Sequence, residues 1–351
     1  MIVQATFIRK VMELLRRLAD QQVPVTVAPR AIHSHLAQRV TSSCHHIERN
    51  RWQGSCGPCP AYDLPTILPC NPGHRSLNVA DEQLSDPRSA LAAKIQFDVP
   101  HAARIWNYWM GGKDNYDADR AAGDAVAEVY PDIVTMAVQS RQFLIRAVRY
   151  LAGEAGIHQF LDIGTGLPTM ENTHEVAQQV APESRIVYVD NDPLVLVHAR
   201  ALLVNTTPEG VTTYVDADVH DPELIISDAR NVLNFSQPIA VMLMGVLGYV
   251  ADFDEARSIV ARVMAAVPSG SYLVLWDGTK TGDAIIEGGA KLAESGAIPY
   301  NLRSLEQISQ CFEGLQLVDP GLVPITQWRP DTAEVGKIEP IDAYGAVARK
   351  P

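Results

Sequence analysis

No apolar run in this sequence approaches the ~20 residues that a membrane-spanning helix requires, so the chain does not read as an integral membrane protein. The N-terminal stretch MIVQATFIRKVMELLRRLADQQVPV has the pattern of an amphipathic helix with Lys10, Arg16 and Arg17. It lacks the apolar segment and small-residue cleavage site of a secretory signal, and a cytoplasmic protein is expected. Positive charge is short: 29 Lys and Arg stand against 41 Asp and Glu, a net charge of −12. Such a chain gains nothing from counterion release on nucleic acid, which points to a small-molecule partner instead. Cysteine is scarce beyond residue 70, where only Cys311 remains of five. That excludes a disulfide framework. No internal repeat of fixed period is present.

What the chain does have is core material. Its 351 residues are 47% apolar and 20% charged, enough for one large α/β domain or two ordinary ones. Composition changes near residue 85. Residues 1–85 read as an N-terminal extension, largely irregular, with SCGPCPAYDLPTILPCNPGHR as its Pro-, Gly- and Cys-rich part. Cys44, His45, His46, Cys56, Cys59 and Cys70 invite a zinc or redox reading. The second CxxC or HxxxH pair that a zinc site would need is missing, and CGPC has no strand before it or helix after it. No metal centre is expected.

Residues 86–351 are regular. Two helical pieces, 101–110 and 118–130, flank GGKDNYD, and a long amphipathic helix covers about 135–152. Strands and helices then alternate. QFLDIG is followed by a helix from near Pro168 to about Val180. RIVYVD is followed by DPLVLVHARALLV, with Asp192 as cap and Pro193 in the first turn. VTTYVDAD, PIAVMLM and GSYLVLWDG supply three more strands. Five such alternations predict a doubly wound parallel sheet. The closing segments LQLVDPGLVPI and AYGAVARK have no helix between them, so the last strand should be antiparallel.

Ligands of open α/β sheets bind beyond the carboxyl ends of the strands, where strand order reverses. The first strand here runs into Asp162, Ile163, Gly164, Thr165 and Gly166. Gly164 permits a tight turn, and Gly166 lets a ligand approach bare backbone. The third glycine of GxGxxG is missing, which argues against a dinucleotide pyrophosphate. Asp162 would welcome an ammonium group rather than a phosphate. Asp190 ends the second strand and suits the two hydroxyls of a ribose, with Asn191 beside it. Asp218 and Val219 follow the third strand and suit an adenine. Any one of these acids could equally be a turn former or helix cap. Together, in strand order, they fit a positively charged, phosphate-free nucleoside, namely S-adenosylmethionine. Met244 and Gly245, at the end of the fourth strand, would face its sulfonium.

The segment FDVPHAARIWNYWMGGKDNYDADRAAGD, residues 97–124, crowds Trp106, Tyr108 and Trp109 before a glycine pair and a polar cluster. With DIGTGLPT, VYVDNDPLVLVHARALL and the closing GAVARKP, it resembles an actinobacterial S-adenosyl methyltransferase family once described only as a domain of unknown function. That family carries ARxxxYxxGGKDN(F/Y)xxDR, here Ala103 to Arg120. The resemblance covers about residues 86–351. It implies a Rossmann-like, seven-stranded class I methyltransferase sheet with an antiparallel last strand and an N-terminal helical lid. Arg104 or Lys113 would meet the methionine carboxylate, and Tyr108, Gly111 and Asn115 would form the lid. S-adenosylmethionine is the implied cofactor and a small molecule the expected acceptor, while its identity and the oligomeric state are not implied.

One departure stands out: the fourth strand is followed by GVLGYV, with Gly248 where the family pattern leads to histidine. Methyl transfer from a sulfonium is an in-line displacement that needs a base only if the acceptor loses a proton. Tyr249, His174, Glu171 and Trp276 are acceptor-side candidates, but packing or exposure accounts for each as simply, so no catalytic base is named. Two alternatives stay open: a non-catalytic S-adenosylmethionine-binding or regulatory protein, and an NAD-dependent oxidoreductase.

Overall fold

A computed structural model describes residues 95–351 except 169–170, 203 and 332–338. The extension at 1–85, with its helix and its Cys–His group, therefore lies outside the described residues, as does Thr169. Three helices lead in: α1 (Ala102–Trp109), α2 (Asp117–Val129) and α3 (Asp132–Gly153). His101 precedes α1 as its cap residue with an extended backbone, its N–H donating to Asp119 Oδ1 at 2.9 Å. The main domain then runs β1 (Gln159–Ile163), α4 (Thr173–Val180), β2 (Arg185–Asp190), α5 (Pro193–Leu202), β3 (Val211–Asp216), α6 (Pro222–Ala229) and β4 (Ala240–Met244). It continues through a short 3-10 turn (Leu247–Tyr249), α7 (Phe253–Ala266), β5 (Tyr272–Gly278), α8 (Asp283–Glu294) and α9 (Leu305–Gln310). It closes with β6 (Gln316–Leu317), β7 (Val323–Pro324) and β8 (Ala343–Arg349).

The sheet order is β3-β2-β1-β4-β5-β8-β6, with β7 also pairing β8. β1 to β5 are parallel neighbours, and β8 is antiparallel to β5. This is the expected doubly wound sheet with its reversed last strand. It has eight strands because two two-residue pieces, β6 and β7, both pair with β8 in place of one longer hairpin partner. One helix begins later than its sequence suggests. α4 starts at Thr173, not near Pro168, because Glu171 takes a left-handed φ of 57° that an α-helix cannot run through. Asn172 and Glu175 then close a capping box.

Side-chain alternation along the strands divides the core. Phe160, Ile186, Met242 and Val274 face α1 to α4, whereas Leu161, Val187, Val241 and Leu273 face α6, α7 and α9. The lid helix α2 rests on α8, where Gly288 lets Val126 and Tyr130 approach closely. β1 lies between β2 and β4, so strand order reverses there and the carboxyl ends of β1, β2 and β4 open a crevice. Among the described residues, no helix is long and apolar enough to cross a membrane.

Candidate functional site

The crevice is a cleft of about 260 Å³. The turn after β1 forms its floor. Gly164 and Thr165 donate their N–H groups to the carbonyl of Val189 at 2.8 and 3.2 Å, folding the chain back over β2. Gly164 has φ 73°, and a Cβ there would strike the side chain of Val246 at 2.4 Å. Gly166, at φ 64°, has nothing within 4 Å of a Cβ position, so a side chain there would project into open space.

Three carboxylates stand at neighbouring strand tips, and all line the cleft. Asp162 is buried and accepts from Thr173 Oγ1 at 2.7 Å. Burial pushes its pKa up to about 6, against the pull of Thr173 and of the Arg141 guanidinium. Asp190 accepts from the N–H of Gly166 at 2.8 Å and from that of Asp192 at 3.0 Å. Burial raises its pKa despite these two donors. Asp218, at the tip of β3, is more open. Burial works against its ionised form, but hydrogen bonds from His220 and Asn191 prevail and hold it below the usual carboxylate value. Asn191 reaches Asp218 at 2.7 Å, bridging the β2 and β3 tips.

Every main-domain residue singled out from the sequence lines this cleft: Asp162, Gly164, Thr165 and Gly166 after β1, Asn191 beside Asp190, Val219 beside Asp218, and Met244 and Gly245 after β4. The lid residues singled out do not. Arg104 is buried beneath α1, donating to the carbonyls of Gln96 and Val99 and lying against Asp119. Tyr108 donates to Asp124, and Asn115 donates to Asn107 and to the Gly112 carbonyl. Lys113 and Gly111 are exposed. The polar motif ties α1 to α2, and the cleft-facing side of α1 is instead His101, Ala103, Trp106 and Met110. His101 Nδ1 lies 2.8 Å from Asp192 Oδ2, fastening the lid to the start of α5.

Two lining residues carry signals that sequence reading passed over. Arg141 lines the cleft from α3, and no hydrogen bond or ion pair holds it among the described residues. Burial lowers its pKa, with Asp162 pulling the other way. Its signal was its position: 141 falls on the same helical stripe as the buried Ala137, Leu144 and Val148. Tyr300 reaches the cleft from the loop after α8. A Cβ on Gly248 would sit 2.2 Å from its ring, so the phenol occupies the space that a side chain at 248 would need. Of the acceptor-side candidates, Tyr249 and Trp276 line the cleft. His174 is buried against the Tyr188 hydroxyl, and Glu171 is exposed beside Arg149.

An arginine with no partner among the described residues, in one cleft with a buried acid, fits a zwitterion, the Asp190 tip fits a diol, and the bare backbone at Gly166 leaves room for the chain between them. A family model described as S-adenosyl methyltransferase matches residues 88–351. A solved DUF574 family protein from Streptomyces avermitilis MA-4680 is 45% identical, with TM-score 0.70, over 73% of this chain and 99% of that one. A candidate methyltransferase from Thermobifida fusca YX is 39% identical, with TM-score 0.67, over 75% of this chain and 98% of that one. No curated protein matches.

Proposed function

The chain belongs to the S-adenosyl methyltransferase family, and from that premise we propose how its residues hold the methyl donor and what they present it to. The enzyme is an S-adenosylmethionine-dependent methyltransferase. When bound, the donor supplies a methyl group already activated by the positive sulfur. Asp190 holds the ribose hydroxyls, and Asp218, Asn191 and Val219 border the adenine. Asp162 receives the ammonium group of the methionine end. Arg141 receives its carboxylate, a role that the exposed Lys113 and the buried, already bonded Arg104 leave to it. Met244 and Gly245 flank the reacting centre, and the lid residues Trp106 and Met110 keep water out. The acceptor is a small molecule, and the setting an actinobacterial cytoplasm, in keeping with relatives from Streptomyces and Thermobifida.

The observation that carries this reading is Arg141, without a hydrogen bond or ion pair among the described residues, in the same cleft as Asp162. Charge-assisted bonds to a carboxylate are worth about 1.5–3 kcal/mol. Arg141→Met should therefore weaken S-adenosylhomocysteine binding in calorimetry by about tenfold or more. Binding of methylthioadenosine, which lacks the amino-acid end, should hardly change. Equal losses for both ligands would show that Arg141 does not meet the carboxylate.

A further inference from the structure

Beside the main cleft lies a smaller chamber of about 50 Å³. Trp106, Tyr249, Trp276 and Tyr300 border both spaces, so the chamber adjoins the cleft on the β4–β5 side. Most of its remaining walls come from the lid helices and α8, including Tyr130, Ile133, Met136 and Leu292, with Gly278 and Leu302 completing them. Among the described residues, no charged side chain lines it. A charged acceptor group would lose its hydration there without compensation. Flat rings are favoured by the indole of Trp106, stacked on that of Trp276 at 5.8 Å, and by Tyr249 set edge-on to Tyr300 at 5.0 Å.

Among the tyrosines that line the chamber, Tyr300 is held with particular care. Its ring lies between two glycines: a Cβ on Gly248 would stand 2.2 Å from it, and one on Gly278 3.1 Å. Asn301 fixes the neighbouring backbone, its N–H donating to the Gly248 carbonyl at 2.6 Å and its side chain to the same oxygen at 3.0 Å. The Tyr300 hydroxyl donates to Asp277 Oδ1 and accepts from the N–H of Gly278 at 3.2 Å. Asp277 is fully buried and lines neither space. The Tyr300 phenol, which lines both spaces, connects it to them.

Resting on the reading of the cleft given above, we propose that the chamber takes part of a flat, uncharged phenol-like acceptor, and that Tyr300, backed by Asp277, receives the proton of its hydroxyl. At about 50 Å³ the chamber admits a ring edge or short substituent, the rest of the acceptor lying against Trp106 and Tyr249. As the acceptor O–H bond breaks, its proton passes to the Tyr300 oxygen while the proton of Tyr300 moves to the Asp277 carboxylate. The freed electron pair on the acceptor oxygen forms the new O–C bond. The pair of the breaking C–S bond leaves with sulfur, which becomes a neutral thioether.

Asp277 is suited to hold a proton transiently. Burial pushes its carboxyl up to about 7, with Tyr300 and the Arg303 guanidinium pulling it down. Tyr249 from the 3-10 turn and Cys311 at the end of α9 also feel its charge; neither ionises near neutral pH, Cys311 being pushed up to about 12 by burial.

The test uses the full chain saturated with S-adenosylhomocysteine, and para-nitrophenol as a coloured probe. Calorimetry should detect the neutral probe and find para-nitrobenzoate at least tenfold weaker. The visible spectrum of the bound probe should register one ionisation step near pH 7. Tyr300→Phe, which keeps the ring in its slot, and Asp277→Asn should each displace that step by a pH unit or more, and Tyr300→Phe should bind the neutral probe more weakly for the lost hydroxyl. A probe that fails to bind the loaded protein, or a step that neither variant moves, would overturn the proposal. Failure of S-adenosylhomocysteine itself to bind would overturn the reading of the cleft beneath it.

Discussion

On the reading proposed above, Asp162 is a residue kept for binding at a cost to folding. In the folded chain it keeps its proton up to about pH 6, whereas a free carboxyl loses it near 4. The native state binds the extra proton in that window, so stability falls as pH rises from about 4 to about 6 and does not return above it. Asp162→Asn keeps an acceptor for Thr173 and removes the charge. It should raise the melting temperature of the ligand-free protein at pH 8, by about 2 kcal/mol in stability, while weakening S-adenosylhomocysteine binding. In the parent protein, affinity should fall as pH drops through about 6, because an ammonium group binds the ionised acid. Scanning calorimetry and titration calorimetry read the two effects separately, and a variant of unchanged stability would mean that burial does not strain this carboxylate. The strand-tip acids were legible in the sequence because an acid or glycine closing a strand is a local signal. Arg141 and Tyr300 were not. One needs the knowledge that its helical stripe faces a sheet edge, and the other arrives from a loop that pairs with nothing nearby in sequence.

At the scale of the element, α3 does two things with two arginines. Arg141 is presented to the cleft, and Arg146 is turned into the core. Arg146 Nε donates to the carbonyl of Trp328 at 2.9 Å, and Nη2 to that of Ile325 at 2.6 Å. It thereby ties α3 to the chain between β7 and β8, where Trp328 is wholly buried. Arg146→Met would fill much of the same volume but leave two buried carbonyls without a donor. The expected loss is about 3 kcal/mol, measured by urea unfolding, with Arg146→Lys intermediate because one ammonium cannot reproduce the guanidinium fork. A loss within about 0.5 kcal/mol would show that water takes over both carbonyls. Element types were readable along most of the chain, since short apolar runs, buried on both faces in β1, β4 and β5, alternate with longer amphipathic stretches. Boundaries were less so: the start of α4 depends on a left-handed Glu171, which no pattern of apolar residues announces. The lid motif was visible as a motif, but its polar groups turn inward to hold α1 on α2. Only packing decides that direction.

For the molecule as a whole, ligand and fold are coupled because the cleft is assembled from the ends of β1, β2, β3, β4 and β5 and from the helices α1 and α3 at once. None of these tips exists as a site in the unfolded chain. S-adenosylhomocysteine at a hundred times its dissociation constant should stabilise the protein by about 2.7 kcal/mol, seen as an upward shift in melting temperature. NAD at the same concentration should leave it unmoved. The reverse outcome would return the chain to the oxidoreductases. The global architecture was the most legible level of all, since alternating strands and helices leave few ways to build a sheet. The segment LQLVDPGLVPI was legible as the partner of β8, but its division into β6 and β7 was not, because two residues carry no periodicity.

The glycine at 248 also has a meaning in descent. Its missing Cβ and the phenol of Tyr300 claim the same volume, so neither position is free to drift alone. Kindred chains should sort into two lineages: those pairing glycine here with an aromatic at 300, and those bearing a bulkier residue here with something smaller opposite. Intermediates that mix the two should be rare, since an ancestor crossing between them would have carried either a collision or a hole.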